Sequence, residues 1–147
     1  MSETKAGDQY VVGFMFNSSE DAVLLIRKTH PGWQKGKLNG VGGRIEKDES
    51  ALEAMRREFK EEVGLEQSSW QQFCVLGDAR EWQIHFFWTI GPIGKAKKLT
   101  EESPEIHCVS SLPKDTIPNL HWLIPMALSM KFEKISGFQI LEVNGAL

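Results

Sequence analysis

The segment from Ser50 to Gly64 constrains the fold most, because it carries the start and stop signals of an amphipathic helix. Ser50 and Glu53 have the spacing of a capping box, in which the two residues satisfy free amides of the first turn. Gly64 suits the left-handed position that commonly follows a helix. A helical projection gives this segment one apolar face, made of Leu52, Met55, Phe59 and Val63. The sequence therefore predicts a helix that starts at Ser50, ends before Gly64 and packs on a core.

Apolar and β-branched runs on both sides of this helix predict the strands that it covers. These runs span residues 10–16, 22–28, 73–77 and 82–90. The first two are separated by polar turn residues and predict a hairpin, and the last is apolar enough to lie centrally. A glycine-rich stretch over residues 30–43 is expected to be a loop that leads into a short strand. We expect a second helix near residues 119–131, and a loop over the polar residues 91–105.

Three glutamates of the first helix lie beside its apolar face instead of opposite it. They are Glu58, Glu61 and Glu62. Glu58 and Glu62 are like charges one turn apart, and acids in the last turns oppose the helix dipole, at roughly 0.3 to 1 kcal/mol each. A divalent cation would offset these costs, and ligands that are all oxygen suit Mg²⁺ or Mn²⁺. The alternative is a solvated acidic face with no special function.

The spacing around the helix favours the metal site. From Gly43 the chain reads GRIEKDESALEAMRREFKEEVGL, which fits G-x5-E-x7-R-E-U-x-E-E-x-G-U at every fixed position, where U is a bulky apolar residue. This pattern resembles the Nudix box of the MutT-type Nudix hydrolases. The resemblance implies an α/β fold, an α/β/α sandwich around a mixed β-sheet. It also implies a single Nudix domain over residues 1–147, with the box at residues 43–65.

The resemblance assigns roles to residues of the box. The implied metal ligands are Glu58, Glu61, Glu62 and the carbonyl of Gly43. Arg57 is expected to hold the box together by pairing with Glu49. The implied cofactor is Mg²⁺, for which Mn²⁺ can substitute.

The reaction implied is the hydrolysis of a nucleoside diphosphate linked to another group, by attack of water on phosphorus. A carboxylate must accept the proton of that water, and Glu61 is the first candidate. Some members of the family use an acid from a later loop, for which Glu101 and Glu102 are the candidates here. The alternative for these two residues is a solvated loop.

Residues outside the box are expected to select the substrate. Residues 38–43 resemble the branch that hydrolyses oxidised purine nucleoside triphosphates such as 8-oxo-dGTP, and this makes Asn39 a candidate for base recognition. Residues 119–125 and the later Gly137-Phe138 resemble the C-terminal helix and tail of that branch, which adds Asn119 and Trp122. An acidic pair that reads the base in that branch is replaced by Pro118 and Asn119. Another dNTP or NTP therefore fits as well.

The tryptophans allow a further contact with the base. Trp33, Trp82 and Trp88 are candidates for stacking, with a place in the core or as a loop anchor as the alternative.

The leading hypothesis is hydrolysis of a nucleoside triphosphate to the monophosphate and pyrophosphate. ADP-ribose, a nucleotide sugar or a dinucleoside polyphosphate are alternative substrates, and a nucleotide sensor without catalysis is the alternative from a different class. The intact acidic cluster argues against the sensor, because it repels phosphate when metal is absent.

Composition excludes several other classes. The chain of 147 residues has 17 Lys and Arg against 20 Asp and Glu, and it lacks the basic stripe of a protein that binds a nucleic acid duplex. The longest apolar run, residues 122–128, is too short to cross a membrane. The first residues do not resemble a secretory signal, and the two cysteines are interpreted as reduced thiols. We therefore expect a cytoplasmic protein, monomeric or homodimeric, whose partner is a small nucleotide.

Overall fold

The computed structural model describes residues 7–78, 80–133 and 138–141. Within these residues the strands are β1 Asp8–Phe16, β2 Ala22–Arg27, β3 Leu38–Asn39, β4 Val41–Arg44, β5 Gln71–Gly77, β6 Trp82–Ile90, β7 Ser103–Cys108 and β8 Phe138–Leu141. The α-helices are α1 Ala51–Val63 and α2 Leu120–Glu133, and short 3₁₀ turns span Gly32–Gln34 and Ile93–Lys95.

All eight strands belong to one mixed sheet. The main path runs β3-β2-β1-β6-β5-β8, while β4 also pairs with β1 and β7 also pairs with β2. The pairs β1–β6 and β5–β8 are parallel, and the other pairs are antiparallel. The mixed sheet predicted from the sequence is therefore confirmed.

The two α-helices cover opposite faces of this sheet. Successive residues of a strand point to opposite faces, so the apolar run of β1 divides between two cores. One core consists mainly of Val11, Met15, Leu24, Ile26 and Phe87 of the sheet with Ala54, Met55, Phe59 and Val63 of α1. The other consists mainly of Val12, Phe14, Phe16, Leu25 and Phe86 of the sheet with Leu120, Leu123, Ile124 and Ala127 of α2. This is the expected α/β/α sandwich.

Helix α1 has the ends that its sequence predicts. The Ser50 side chain accepts from the Glu53 amide at 3.1 Å, and the Glu53 carboxylate accepts from the Ser50 amide at 3.1 Å. Gly64 ends the helix with a φ of 76° in the left-handed region, which glycine adopts without steric cost. The second helix continues through Pro125, which lies inside it.

Residues 91–105 differ from the expected loop. They contain the turn at Ile93–Lys95 and the start of β7, which was not predicted. Its sequence SPEIHC is polar because β7 pairs with β2 only, and Pro104 is tolerated on such an edge strand. Strand β8 was not predicted either, and Gly137 of the proposed C-terminal tail lies outside the described residues.

Candidate active site

A cavity of about 960 Å³ lies beside α1 and is lined by β1, β3, β4, β6 and the segments that follow β2 and precede α2. The residues that line it fall into two groups, one charged and one mainly apolar. The charged group includes Glu58, Glu62, Glu102 and Lys28, together with the backbone of Gly43. The other group is apolar or carries an amide, and includes Val12, Trp82, Ile84, Phe86, Ile117, Asn39 and Asn119.

Arg57 ties the loop before α1 to the helix. Its Nε and Nη2 donate to both carboxylate oxygens of Glu49, at 2.7 and 2.9 Å, so the expected pairing with Glu49 is confirmed. Its Nη1 donates to Glu58 at 2.9 Å, and its Nη2 also donates to the Arg44 carbonyl at 3.0 Å. The hydrogen bonds to Glu49 and Glu58 raise the pKa of the Arg57 guanidinium. The guanidinium in turn lowers the pKa of the Glu49 carboxyl.

A projection of the isolated helix places Arg57 on the solvent side, one turn from Glu53, and this placement is wrong. Only 23% of the Arg57 side chain is exposed, and Glu53 is used by the capping box. The reason is the segment 44–50, which folds back over this side of the helix. A projection of the helix alone does not include that segment.

Gly43 lies directly against the carboxylate of Glu58. A Cβ atom on Gly43 would lie 2.5 Å from the Cδ and Oε1 atoms of Glu58, so only glycine lets β4 pass this close. The Glu58 side chain is only 14% exposed. Burial raises the pKa of its carboxyl, even though Arg57 acts in the opposite direction.

Glu62 and Glu102 are joined through Thr100. The Thr100 hydroxyl donates to Glu62 at 3.2 Å and accepts from the Glu102 amide at 3.1 Å. Burial, and then the charge of Glu102, raise the pKa of Glu62.

Glu102 is almost fully buried and has its own cation. Its carboxylate accepts from the Lys28 ammonium at 2.9 Å and from the Thr29 amide at 2.7 Å. Burial acts to raise the pKa of Glu102, but these donors outweigh it and the pKa is lowered. Lys28 was not singled out from the sequence; its place as the last residue of the predicted strand 22–28, where side chains alternate between the two faces, was the available signal.

Two of the predicted acids lie outside the cavity lining. The Glu61 side chain is 59% exposed and accepts from Arg57 at 3.3 Å. Glu101 is exposed, whereas its neighbour Glu102 is 2% exposed and lines the cavity. Of the two loop acids named from the sequence, the structure thus brings Glu102 to the helix carboxylates.

The donors around α1 fit a hard divalent cation. They are carboxylate oxygens and the backbone of Gly43, and buried carboxylates such as Glu58 and Glu62 gain from a cation. Among residues 7–78, 80–133 and 138–141, however, no three acidic, His or Cys side chains already converge on one point. The carboxylates are instead turned to Arg57, Thr100 and Lys28.

The two asparagines of the cavity differ in how their amides are satisfied. Asn39 donates to Gln34 Oε1 at 3.0 Å and accepts from the Gly40 amide at 2.8 Å. The Oδ1 atom of Asn119 is buried and has no hydrogen-bond partner in the described part of the chain.

The candidate tryptophans lie in different parts of the structure. Trp33 and Trp82 line the cavity, whereas Trp88 packs against the α2-side core. Trp122 is 41% exposed and lies outside the lining, because it is on the side of α2 away from the core residues Leu120 and Ile124.

Known proteins share this fold and its sequence pattern. The family model of the NUDIX domain matches residues 8–126. A MutT structure from a study of Aliivibrio salmonicida and Vibrio cholerae superposes with a TM-score of 0.64 at 21% identity, covering 80% of this chain and 96% of that chain. The MutT NUDIX hydrolase of Burkholderia pseudomallei gives a TM-score of 0.70 at 17% identity, covering 82% and 97%.

The chain therefore belongs to the Nudix family. It is a Nudix pyrophosphohydrolase that acts on nucleotide derivatives, an activity for which Nudix hydrolases generally use divalent metal cations. In the described residues no helix is long and apolar enough to span a membrane.

Proposed function

We propose that this protein hydrolyses nucleoside triphosphates to the monophosphate and pyrophosphate with Mg²⁺ as cofactor. One observation carries the proposal: a single cavity combines the carboxylates of the box helix and the later loop with an apolar lining and two asparagines. The first set suits a metal-bound polyphosphate, and the second suits a base. The substrate carries either an oxidised purine, as in 8-oxo-dGTP, or the base of another dNTP or NTP.

Glu58, Glu62 and the carbonyl of Gly43 are the proposed metal ligands that line the cavity, and Glu61 joins them by turning its exposed carboxylate inward. Bound Mg²⁺ supplies positive charge to the phosphates and lowers the pKa of the attacking water. Arg57 orients Glu58 through the 2.9 Å hydrogen bond. The cost of holding Glu58 and Glu62 ionised in partly buried positions supports a cation at this place.

For the proton of the attacking water, Glu61 remains the first candidate. Its exposed carboxylate is free to turn, and its hydrogen bond to Arg57 is long. Glu102 replaces Glu101 as the candidate from the later loop, because Glu102 lines the cavity. Lys28 and the Thr29 amide lower its pKa against burial, so the Glu102 carboxylate is ionised at neutral pH and can bind a metal.

The base is proposed to contact Asn119 and Asn39. The Oδ1 atom of Asn119 lacks a donor, and a ring or amino N–H of a base would satisfy it. Asn39 is held by Gln34 and Gly40, which orients its amide beside the cavity. Trp82 provides an aromatic wall, and Trp122 is left out because it lies outside the lining.

A substrate panel tests this proposal. Purified protein with Mg²⁺ is incubated with canonical and oxidised dNTPs, NTPs, ADP-ribose, a nucleotide sugar and dinucleoside polyphosphates, and the products are separated. We expect the monophosphate and pyrophosphate from at least one triphosphate. Turnover of only the diphosphate-linked compounds would replace the proposed substrate class, and no turnover at all would favour a sensor.

Matched glutamine variants test the carboxylates in the same assay. Glu61→Gln and Glu102→Gln should each lower kcat, by about a hundredfold for a lost base or metal ligand. Glu101→Gln is the control and should stay close to the wild type, since Glu101 is exposed. Equal rates for Glu101→Gln and Glu102→Gln would remove the loop acid from the reaction.

The asparagine is tested separately. Asn39→Ala should raise KM or change the preferred base while the Mg²⁺ requirement stays the same. An unchanged KM and preference across the panel would remove Asn39 from the base site.

A further inference from the structure

Arg27 forms a dense set of hydrogen bonds outside the cavity. Its Nε and Nη2 donate to the two carboxylate oxygens of Glu105 on β7, at 2.7 and 2.9 Å. Its Nη1 donates to the carbonyl of Gly36 at 2.9 Å and to the carboxylate of Asp115. None of these four residues lines the cavity. The guanidinium therefore joins β2 to β7 and to two loops without contacting the proposed substrate site.

Each of the two loops carries a polar group of the cavity. The loop that ends at Gly36 includes Gln34, whose Oε1 accepts from the Asn39 amide at 3.0 Å. The segment that starts at Asp115 leads to Asn119, which lines the cavity with its unpartnered Oδ1.

The 115–119 segment is also hydrogen-bonded to β3. The Leu38 amide donates to the Asp115 carbonyl at 3.0 Å, and the Ile117 amide donates to the Leu38 carbonyl at 2.9 Å. Ile117 itself lines the cavity. A shift of the 115–119 segment would therefore move Ile117 and Asn119 relative to the strand that carries Asn39.

We propose that Arg27 is a positioning residue for base recognition, which fixes the Gly36 loop and the 115–119 segment relative to β2. This inference rests on the proposed function. A planar guanidinium has donors in a fixed fork, so Arg27 can pair both carboxylate oxygens of Glu105 and still bond Gly36 and Asp115, whereas an ammonium or an amide has fewer donors and no such fork. Lys28 directly follows Arg27, the last residue of β2, and the two neighbouring cations bond different groups: Arg27 acts on the asparagines through the two loops, while Lys28 contacts Glu102.

The test compares Arg27→Gln with Arg56→Gln. Arg56 is a matched control, because it also gives two hydrogen bonds to a backbone carbonyl, that of Ser68, and lies outside the cavity. The first measurement is the Kd of a non-hydrolysable nucleoside triphosphate analogue with Mg²⁺ present. We expect Arg27→Gln to weaken binding about tenfold and to change the ratio between purine and pyrimidine analogues. The control should bind like the wild type.

The second measurement is hydrogen–deuterium exchange of the metal-free proteins. Arg27→Gln should speed exchange of the Leu38 and Ile117 amides, whose hydrogen bonds join β3 to the 115–119 segment, while Arg56→Gln should not. Unchanged exchange at both amides would overturn the proposal. Faster exchange with an unchanged Kd and unchanged base ratio would also overturn it, because Arg27 would then be merely structural.

Two further arms separate the possible failures. If Arg27→Gln does not fold, Asp115→Asn keeps the side-chain volume and one acceptor, and should weaken binding about threefold with the same change in base ratio; wild-type binding and ratio would overturn the inference. A wild-type protein that binds the analogue but hydrolyses no nucleotide would contradict the proposed function, while the Kd comparison would still decide the role of Arg27.

Discussion

Replacement of Arg57 by glutamine tests how the box is held together. The change removes the paired hydrogen bonds to Glu49 and the bond to Glu58, and leaves both carboxylates without their cation. Each carboxylate is 14% exposed and Arg57 is 23% exposed. Breaking a fully buried pair costs about 3 to 5 kcal/mol, while an exposed pair is worth about 0 to 1 kcal/mol. At these intermediate exposures we expect a loss of about 2 to 3 kcal/mol.

Urea unfolding at pH 7 measures this loss, and the midpoint of thermal unfolding should fall by roughly 6 to 10 °C. Arg56→Gln, one position earlier on the same helix, is the control. Arg56 is exposed and, within the part of the chain that the structure describes, hydrogen-bonds only the Ser68 carbonyl, so its replacement should cost less than about 1 kcal/mol. Equal losses for the two variants at pH 7 would refute the central role of Arg57.

The same comparison has a defined pH dependence. Arg57 holds the pKa of Glu49 below its ordinary value of 4.5, so the stability it supplies is present above pH 4.5 and is lost as the pH falls through the folded pKa. Burial raises the pKa of Glu58, but Arg57 again favours its charged form, and protonation removes that contribution too. The difference between wild type and Arg57→Gln should therefore shrink from pH 7 to pH 3. A difference that stays constant over this range would contradict the ion-pair explanation.

Two neighbouring glycines and a histidine give three shorter predictions. The three atoms nearest to a Cβ on Gly43 all belong to the flexible end of the Glu58 side chain, so Gly43→Ala should fold yet lower kcat at least about tenfold. A Cβ on Gly42 would lie 1.9 Å from the Val11 carbonyl oxygen, so Gly42→Ala should lose about 3 kcal/mol or more in urea unfolding; equal stability of the two variants would contradict this. His85 donates from Nε2 to Gln9, and burial lowers its pKa from 6.5. Its stability contribution is present above pH 6.5 and is lost as the pH falls through the folded pKa, so wild type should lose up to about 1 kcal/mol more than His85→Gln between pH 7 and 5. Parallel pH profiles would exclude His85 as the cause.

The parts of the molecule that the sequence predicts well depend on local signals. The capping box of α1 and its terminal Gly64 are set by residues within a few positions of each other, and the structure confirms both. The pairing of Arg57 with Glu49 followed from the family pattern. The burial of Arg57 did not follow from the helix projection, because the segment 44–50 covers it.

The parts that were missed depend on contacts between distant residues. Strand β7 is polar, since it lies at an edge of the sheet and Glu105 pairs with Arg27 in β2. Glu101 and Glu102 are equivalent in the sequence, and only the path of the chain buries Glu102 against Lys28. No local sequence pattern predicts that path of the chain.

The three glutamates beside the apolar face of α1, Glu58, Glu61 and Glu62, are unfavourable on an isolated helix, and the fold pairs most of the site's carboxylates with cations. Arg57 forms ion pairs with Glu49, Glu58 and Glu61, and Lys28 forms an ion pair with Glu102. Within the described residues Glu62 has no ion pair of its own, and its neighbour is the Thr100 hydroxyl. Burial and the nearby Glu102 raise its pKa, which means that its ionised form destabilises the metal-free fold at neutral pH.

The Glu62 carboxylate should therefore lower the stability of the metal-free protein and contribute to metal binding. Glu62→Gln keeps an acceptor for Thr100 and removes the buried charge, so we expect the metal-free protein to gain roughly 0.5 to 1 kcal/mol at pH 7. The variant should then lose the further stabilisation that Mg²⁺ or Mn²⁺ gives the wild type. Urea unfolding in EDTA and in saturating Mg²⁺ measures both effects, with Glu101→Gln as the control that changes neither. A metal-free Glu62→Gln protein less stable than wild type would show that this carboxylate supports the fold, and a full response to Mg²⁺ would remove it from the metal site.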